Sequence, residues 1–238
     1  MRIAVISDIH ANLIAFHAVV NHMQEQKTDK IIFLGDLIMN GPHPKEVFYE
    51  IQRLIPDVWI KGNTDEWLHE IGVGFKPTTT REEYLYELFK YANERLSPQD
   101  RALLKSRPEK QILEVEDLRI LCVHGSDRLN NEQVGIMTSP ERFEQMMNEL
   151  EVDIILCGHT HLSYLATYNK KRIVNPGSVS LSKDGDPKAS YGILDIGADI
   201  VSYTNYRLSY DVQRVINDAR IEGFPYIDIF IEKLSTAI

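Results

Sequence analysis

The chain opens on a short apolar run, "RIAVIS", after which the apolar positions spread out to Leu13, Phe16, Val19, Val20 and Met23. The run has the length of a strand and the spread positions follow the helical period, with Asn12 placed to cap the helix. "KIIFLG" predicts a second strand, and Pro44, suited to a first helical turn, opens the amphipathic stretch "PKEVFYEIQRLI". "DVWIKG" predicts a third strand. Strands alternating with helices in this way predict parallel pairing, right-handed crossovers and helices on both sheet faces.

From about residue 65 to 107 the pattern changes: "EEYLYELFKYANERL" and "PQDRALLKS" are helical with no strand between them. This block, bounded by "KPTTT" and Pro108, reads as a helical insert or cap. Two strands follow, "KQILEVED" and "LRILCVHG", with a tight turn at Glu116-Asp117. Ser139 and Pro140 open another helix, and "DIILCGHTH" predicts the next strand. The remainder reads as antiparallel hairpins, "LSYLATYNKKRIVNP" and "YGILDIGADIVSYTNYRL", closed by helical segments "YDVQRVINDAR" and "YIDIFIEKL". The expected architecture is a single domain over 1–238: two mixed β-sheets packed face to face, helices outside, and a helical cap insert.

Composition narrows the classes. A chain of 238 residues with 43% hydrophobic and 26% charged content is ordinary for a globular domain. Its longest apolar runs, such as "IIFLG" and "DIILCG", are too short to span a bilayer. "MRIAVISDIH" runs straight into a strand pattern without a signal-peptide core or cleavage site, and Cys122 and Cys157 make no disulfide framework; both point to the cytoplasm. Net charge is −9, and the one compact basic cluster, Lys170-Lys171-Arg172, falls at a hairpin tip. That balance argues against binding a nucleic-acid chain. The oligomeric state is not legible.

The chemistry gathers where strands end. "RIAVIS" ends in Asp8-Ile9-His10, "IIFLG" in Asp36, "VWIKG" in Asn63, "RILCV" in His124 and "DIILCG" in His159-Thr160-His161. The carboxyl ends of strands in α/β sheets are where ligands bind. A single histidine or aspartate there is an ordinary loop residue or turn former. Seven such residues at five tips point to a shared site. Carboxylate, imidazole and amide oxygen without thiolates suit ions such as Mn, Fe, Zn or Co. Seven donors exceed one tetrahedral ion and suggest two ions sharing a carboxylate, roughly 3.5–4 Å apart.

In order, "DIH", "GDLIMNGP", "GNTD", "VHG" and "GHTH" resemble the calcineurin-like metallophosphoesterase superfamily. "SDIHANLIA" and "NPGSVSLSKDGDPKASYGILDI" are similar to its small prokaryotic phosphodiesterase branch. The motifs run from Ser7 to Ser178 and leave residues 65–107 and the last thirty or so uncovered. The resemblance implies two divalent transition-metal ions (Mn, Fe, Zn, Co or Ni). One would be held by Asp8, His10, Asp36 and His161, the other by Asp36, Asn63, His124 and His159, with Asp36 bridging. If the strand conformation persists, His159 and His161 point the same way and can each take a different ion. The implied activity is hydrolysis of phosphodiesters or phosphoanhydrides of small, nucleotide-type molecules by a metal-bridging hydroxide, with Asp36, Asn63 and His124 acting through the metals. The rival reading is a non-catalytic scaffold of the same fold, like the retromer subunit; seven competent residues argue against it.

One position departs from the pattern. Many superfamily members carry a histidine directly after the ligand asparagine, thought to protonate the leaving oxygen; here it is Thr64, which is no acid near neutral pH. A missing general acid forfeits about 10²–10⁴-fold in rate, least for good leaving groups. His43 in "GPHP" is the spare histidine near a ligand loop, read either as a stand-in acid or substrate contact or as a solvated loop residue. His17, His22 and His69 sit in helical stretches and receive no role. Cys122 and Cys157 read as small buried hydrophobes. Asn175, Gly177 and Ser178 read as a turn beside the metal loops.

Overall fold

The protein is described by a computed structural model over residues 1–71, 74–135, 137–197 and 201–238. The first apolar runs form β1 (Arg2–Ile6), β2 (Lys30–Phe33) and β3 (Val58–Trp59), separated by α1 (Leu13–Glu25) and α2 (Pro44–Leu54). The Asn12 side chain accepts the Ala15 N–H at 3.0 Å, so the cap forms as its position predicts. The insert is α3 (Asn63–Glu70), α4 (Thr80–Arg95) and α5 (Pro98–Lys105); its first helix starts at Asn63, before the expected boundary at 65. Next come β4 (Lys110–Val115), β5 (Leu118–Val123), α6 (Pro140–Glu149) and β6 (Ile154–Leu156). The chain ends in β7 (Ser163–Tyr168), β8 (Lys171–Pro176), β9 (Ala189–Ile196), β10 (Val201–Leu208), α7 (Val212–Ile221) and α8 (Ile227–Thr236).

Two five-stranded mixed sheets result, ordered β10-β9-β1-β2-β3 and β4-β5-β6-β8-β7. β1, β2 and β3 run parallel, and so do β5, β6 and β8. The sequence reads the segment after β6 as hairpins alone. In the structure β8 reaches past β7 to pair in parallel with β6, and β9 returns to pair antiparallel with β1. Pattern shows that a segment is a strand; it does not show which edge it joins.

Side-chain alternation builds three apolar layers. Ile3, Val5, Ile32, Leu34, Val58, Ile120, Ile154, Leu156 and Val174 meet between the sheets. The opposite face of the first sheet, with Ala4, Ile6 and Phe33, is covered by α1, α2, α4 and the C-terminal helices. α6 covers the outer face of the second sheet through Phe143, Met146 and Met147. Each fully buried side chain of this size contributes about 1.5–3 kcal/mol. Cys122 lies in the layer between the sheets and Cys157 under α6; burial pushes both thiols up, Cys157 to about 12. Both are packing residues.

The insert is rooted in the same core. Leu88, Phe89, Tyr91 and Leu104 join the layer over the first sheet, and the Tyr91 hydroxyl donates to the Pro42 carbonyl at 2.9 Å. Its two ends meet where the Lys61 N–H donates to the Pro108 carbonyl at 2.9 Å. Among the described residues no helix is long and apolar enough to cross a membrane.

Candidate metal centre

The parallel strands of both sheets deliver their carboxyl ends to one place. The Asp8 N–H donates to the Gly35 carbonyl at 3.0 Å and the His10 N–H to the Asp36 carbonyl at 3.0 Å, so the first two ligand loops form a ladder of their own. The second sheet joins through His124, whose Nδ1 lies 2.8 Å from the Leu34 carbonyl. Gly158 lets the last loop close in: a Cβ there would stand 2.0 Å from Ser7 Oγ and 2.8 Å from Asp8 Oδ2. Gly62 is equally constrained, with a virtual Cβ 2.1 Å from Asp36 Oδ1.

Five of the seven donor residues adopt left-handed backbone: Asp8 (φ 56°), His10 (47°), Asp36 (59°), His159 (66°) and His161 (61°). Each costs about 1–3 kcal/mol and persists only where the surroundings dictate it. The expectation that the strand conformation continues through His159 and His161 is therefore corrected. β6 stops at Leu156, and both histidines sit in the left-handed region. They still face different neighbours, His161 meeting His10 and Asp8 while His159 stacks edge-on to His124 at 5.3 Å.

The ring nitrogens are sorted by backbone partners. His10 Nδ1 lies 3.1 Å from the Met39 carbonyl, and His161 Nδ1 is held by the Leu181 carbonyl. With His124 on Leu34, three imidazoles turn Nδ1 toward backbone carbonyls and Nε2 inward, as metal-ligating histidines do. Their Nε2 atoms converge on two buried carboxylates. Asp8 Oδ1 is 3.1 Å from His161, 3.7 Å from His10 and 3.9 Å from His124. Asp36 Oδ2 is 3.7 Å from His10 and 3.5 Å from His124. Asn63 Oδ1 lies 3.1 Å from His124 Nε2.

Two groups of buried residues could each hold an ion: Asp8, His10 and His161, and Asp8, Asp36 and His124. Asp8 is common to both groups, and Asp36 Oδ2 lies between His10 and His124. His159 stands at the edge, its N–H donating to Asp8 Oδ2 at 3.1 Å. The donors fit a metal on two independent grounds. Asp8 Oδ1 is fully buried among ring nitrogens, His161 Nε2 nearest at 3.1 Å, with no hydrogen bond formed to it among the described residues, and His10 Nε2 and His161 Nε2 face each other at 3.0 Å. Buried carboxylates and inward lone pairs call for a cation.

Charge follows the same geometry. Burial alone would raise both carboxyls, yet the histidines hold Asp8 and Asp36 well below the usual carboxylate range. Burial opposes charge on His124, but Asp36 and Asp8 push it up to about 10. Burial and the neighbouring His124 pull His159 down to about 4.

Asp65 is a residue that the sequence reading did not assign to the site. Its Oδ2 accepts the N–H groups of Asp36 and Gly62, both at 2.9 Å, and its Oδ1 that of Leu37 at 3.0 Å. One buried carboxylate thereby ties the β2 loop to the β3 loop; burial and the Asp36 charge push its own carboxyl up to about 6. The available signal was its place as third residue of a helix, where an acid reaches back to the cap. Asn175 and Ser178 brace the other side: Asn175 Nδ2 donates to the Gly158 carbonyl at 2.6 Å and Ser178 Oγ to the Asp8 carbonyl at 2.9 Å.

His43 does not join the cluster. Its Nε2 is 3.2 Å from Asp218 Oδ2 on α7, its side chain is 11% exposed, and it is not among the residues lining the crevice. It is not a solvated loop histidine. Thr64 is present: its N–H donates to Asp36 Oδ1 at 2.9 Å, while its buried hydroxyl has no partner among the described residues. His10, Asp36, Asn63, His159 and His161 form the floor of a crevice of about 230 Å³, walled by Trp67, Tyr84 and Leu85 of the helical block and by Phe230 and Lys233 of α8.

Comparison with known proteins defines the class. A family model for the calcineurin-like phosphoesterase superfamily domain matches residues 1–199. The chain belongs to that superfamily and is a metal-dependent phosphoesterase. It is 27% identical over 231 residues to an uncharacterized protein of Methanocaldococcus jannaschii, covering 89% of each chain. To the phosphodiesterase YfcE of Escherichia coli it is 27% identical over 198 residues, covering 82% of this chain and 88% of that one. A metallophosphoesterase from Sphaerobacter thermophilus shares the fold at a TM-score of 0.78 with 24% identity, covering 100% of this chain and 99% of that one.

Proposed function

We propose that the protein hydrolyses small phosphodiesters or phosphoanhydrides of the nucleotide type, using two divalent ions. Asp8, His10, Asp36 and His161 would hold one, and Asp36, Asn63, His124 and His159 the other. The observation that carries this is the buried pair of carboxylates ringed by inward-facing Nε2 atoms, with no hydrogen bond formed to Asp8 Oδ1 among the described residues. Bound there, two such ions would supply Lewis acidity, neutralise phosphoryl charge and lower the pKa of water.

The chain's own residues do the rest. The Nδ1 contacts of His10, His124 and His161 hold the rings in one tautomer, and Asp65 fixes the spacing between the Asp36 and Asn63 loops. Trp67 and Tyr84 narrow the approach, which favours small substrates over polymer chains. No ionisable side chain stands at position 64, and His43 is engaged with Asp218, so among the described residues no histidine outside the donor set is placed to protonate the leaving oxygen. A scaffold role would leave seven converging donors without purpose. Two free, buried cysteines suit a reducing cytoplasm. Hydrolysis of an aryl phosphodiester by the Mn²⁺-loaded protein, abolished by chelation, tests the reading; inactivity with every divalent ion tried contradicts it.

A further inference from the structure

The crevice rim has a composition unlike the rest of this acidic molecule. Lys183 follows the Ser178 turn, its N–H donating to the His161 carbonyl at 3.3 Å, and Lys233 stands on α8; both line the crevice. Neither lysine has a carboxylate partner among the described residues. The Lys233 ammonium instead donates to the Tyr84 hydroxyl at 3.2 Å and lies 5.0 Å from the centre of that ring. Asp36, on the floor, is the one acidic side chain among the described lining residues. In a chain of net charge −9, two lysines without a carboxylate partner on one opening are a local excess of cations at the rim. Between them the wall is aromatic: Trp67 and Tyr84 from the insert, Phe224 and Phe230 from the C-terminal helices. Phe224, Phe230 and Lys233 lie beyond residue 199, where the superfamily model ends, while Lys183, Trp67 and Tyr84 lie within it.

We propose that the rim is a two-part substrate subsite: Lys183 and Lys233 bind a second phosphoryl group beyond the scissile one, and the aromatic wall binds a flat ring attached to it. The substrate class is then an aromatic-ring compound carrying at least two phosphoryl groups, of which a nucleoside diphosphate is the simplest example. This rests on the proposed function and deepens it. Lysine suits the task because its ammonium meets phosphate as a point charge, without the fork geometry that arginine imposes. Aromatic faces take bases of any identity, because every base has a π-face.

The chain carries its own probe. Of its 2 tryptophans, Trp59 is 7% exposed beneath Arg107 while Trp67 lines the crevice, so ligand-dependent emission reports on Trp67. The full chain, loaded with Mn²⁺, is titrated with α,β-methylene-ADP, adenosine and inorganic pyrophosphate. The methylene analogue should bind at least about 10-fold more tightly than either fragment, and Trp67→Phe should remove its emission change. Lys183→Gln and Lys233→Gln should each weaken the analogue about 10-fold, as loss of a charged hydrogen bond does, with Lys90→Gln on the exposed face of α4 as the equal-charge control. Metal content is measured for each variant alongside. Unchanged affinity in both crevice-lysine variants, or pyrophosphate binding as tightly as the analogue, overturns the subsite. Failure to hydrolyse any diester overturns the proposed function instead, and the binding comparison still decides the subsite.

Discussion

His10 Nε2 and His161 Nε2 stand 3.0 Å apart, and the other nitrogen of each ring is held by a backbone carbonyl, Met39 for His10 and Leu181 for His161. Residues 151 positions apart in the chain thus present two lone pairs to one point beside Asp8. With each Nδ1–H given to a carbonyl, the two Nε2 atoms cannot hydrogen-bond to each other unless one ring takes a second proton. A cation resolves the arrangement, and the predictions below follow from it.

Asp36 touches both halves of the cluster through Oδ2, at 3.7 Å from His10 and 3.5 Å from His124. Asp36→Asn should therefore lower bound metal and hydrolysis further than His10→Ala does, with activity falling by at least about 100-fold. Elemental analysis after dialysis reads the difference. Loss of both ions in His10→Ala with both kept in Asp36→Asn would show that the bridge is elsewhere.

Asp65→Ala removes the acceptor of three buried N–H groups. Each unpaired group costs about 1–3 kcal/mol, so the melting temperature should drop clearly. Metal affinity should fall about 10–100-fold, as when an outer partner of a ligand is lost. Asp65→Asn, which keeps one carbonyl oxygen, should recover part of both. An Asp65→Ala protein that melts with the wild type and keeps its metal would deny the tie between the two loops.

The Thr64 hydroxyl is buried and unpartnered among the described residues, so Thr64→Val should leave stability unchanged or slightly raised and activity within about two-fold. Rates on diesters should depend steeply on the leaving group's own pKa, aryl esters far outpacing alkyl esters of similar size. Thr64→His should help the alkyl ester, but by less than the about 10²–10⁴-fold of a positioned acid, because Asp65 is committed to the backbone and cannot orient the new ring. Equal aryl and alkyl rates in the wild type would reveal an acid that the geometry does not show.

Glu132, on the loop that follows His124, supplies a pH dependence through its ion pair. Its hydrogen bond to Arg128, helped by Ser126 and Arg142, holds the carboxyl down to about 2, against 4.5 ordinarily. A depressed folded-state pKa contributes stability that is complete above the unfolded value and is lost as pH falls from about 4.5 through about 2. Glu132→Gln should lower stability at pH 7 and flatten the acid limb between those values, measured by denaturant unfolding at stepped pH. An acid limb identical to the wild type's would contradict the ion-pair assignment.

Much of this was legible because periodicity and strand ends are local signals. Runs such as "RIAVIS" and "KIIFLG" stop abruptly at Asp8 and Asp36, and an apolar strand that ends in a carboxylate is readable from neighbours alone. What escaped depends on distance or on backbone shape. The placement of β8 between β6 and β7 is a choice among edges that no local pattern encodes. The left-handed turn at His159 and His161 runs against the ordinary preference of histidine and is imposed by Asp8 and by packing at Gly158. His43 looked spare because its partner, Asp218, lies 175 residues away. Lys233 and Phe230 of α8 reach the crevice only after the whole second sheet has been laid down.

The central claim, that the seven strand-end residues hold metal, is tested most directly by elemental analysis of the purified full chain after loading with Mn²⁺ and exhaustive dialysis. The expected result is about two ions per chain, falling sharply in Asp36→Asn while the fold, read by circular dichroism, is retained. A stoichiometry near zero in the correctly folded wild type would contradict it.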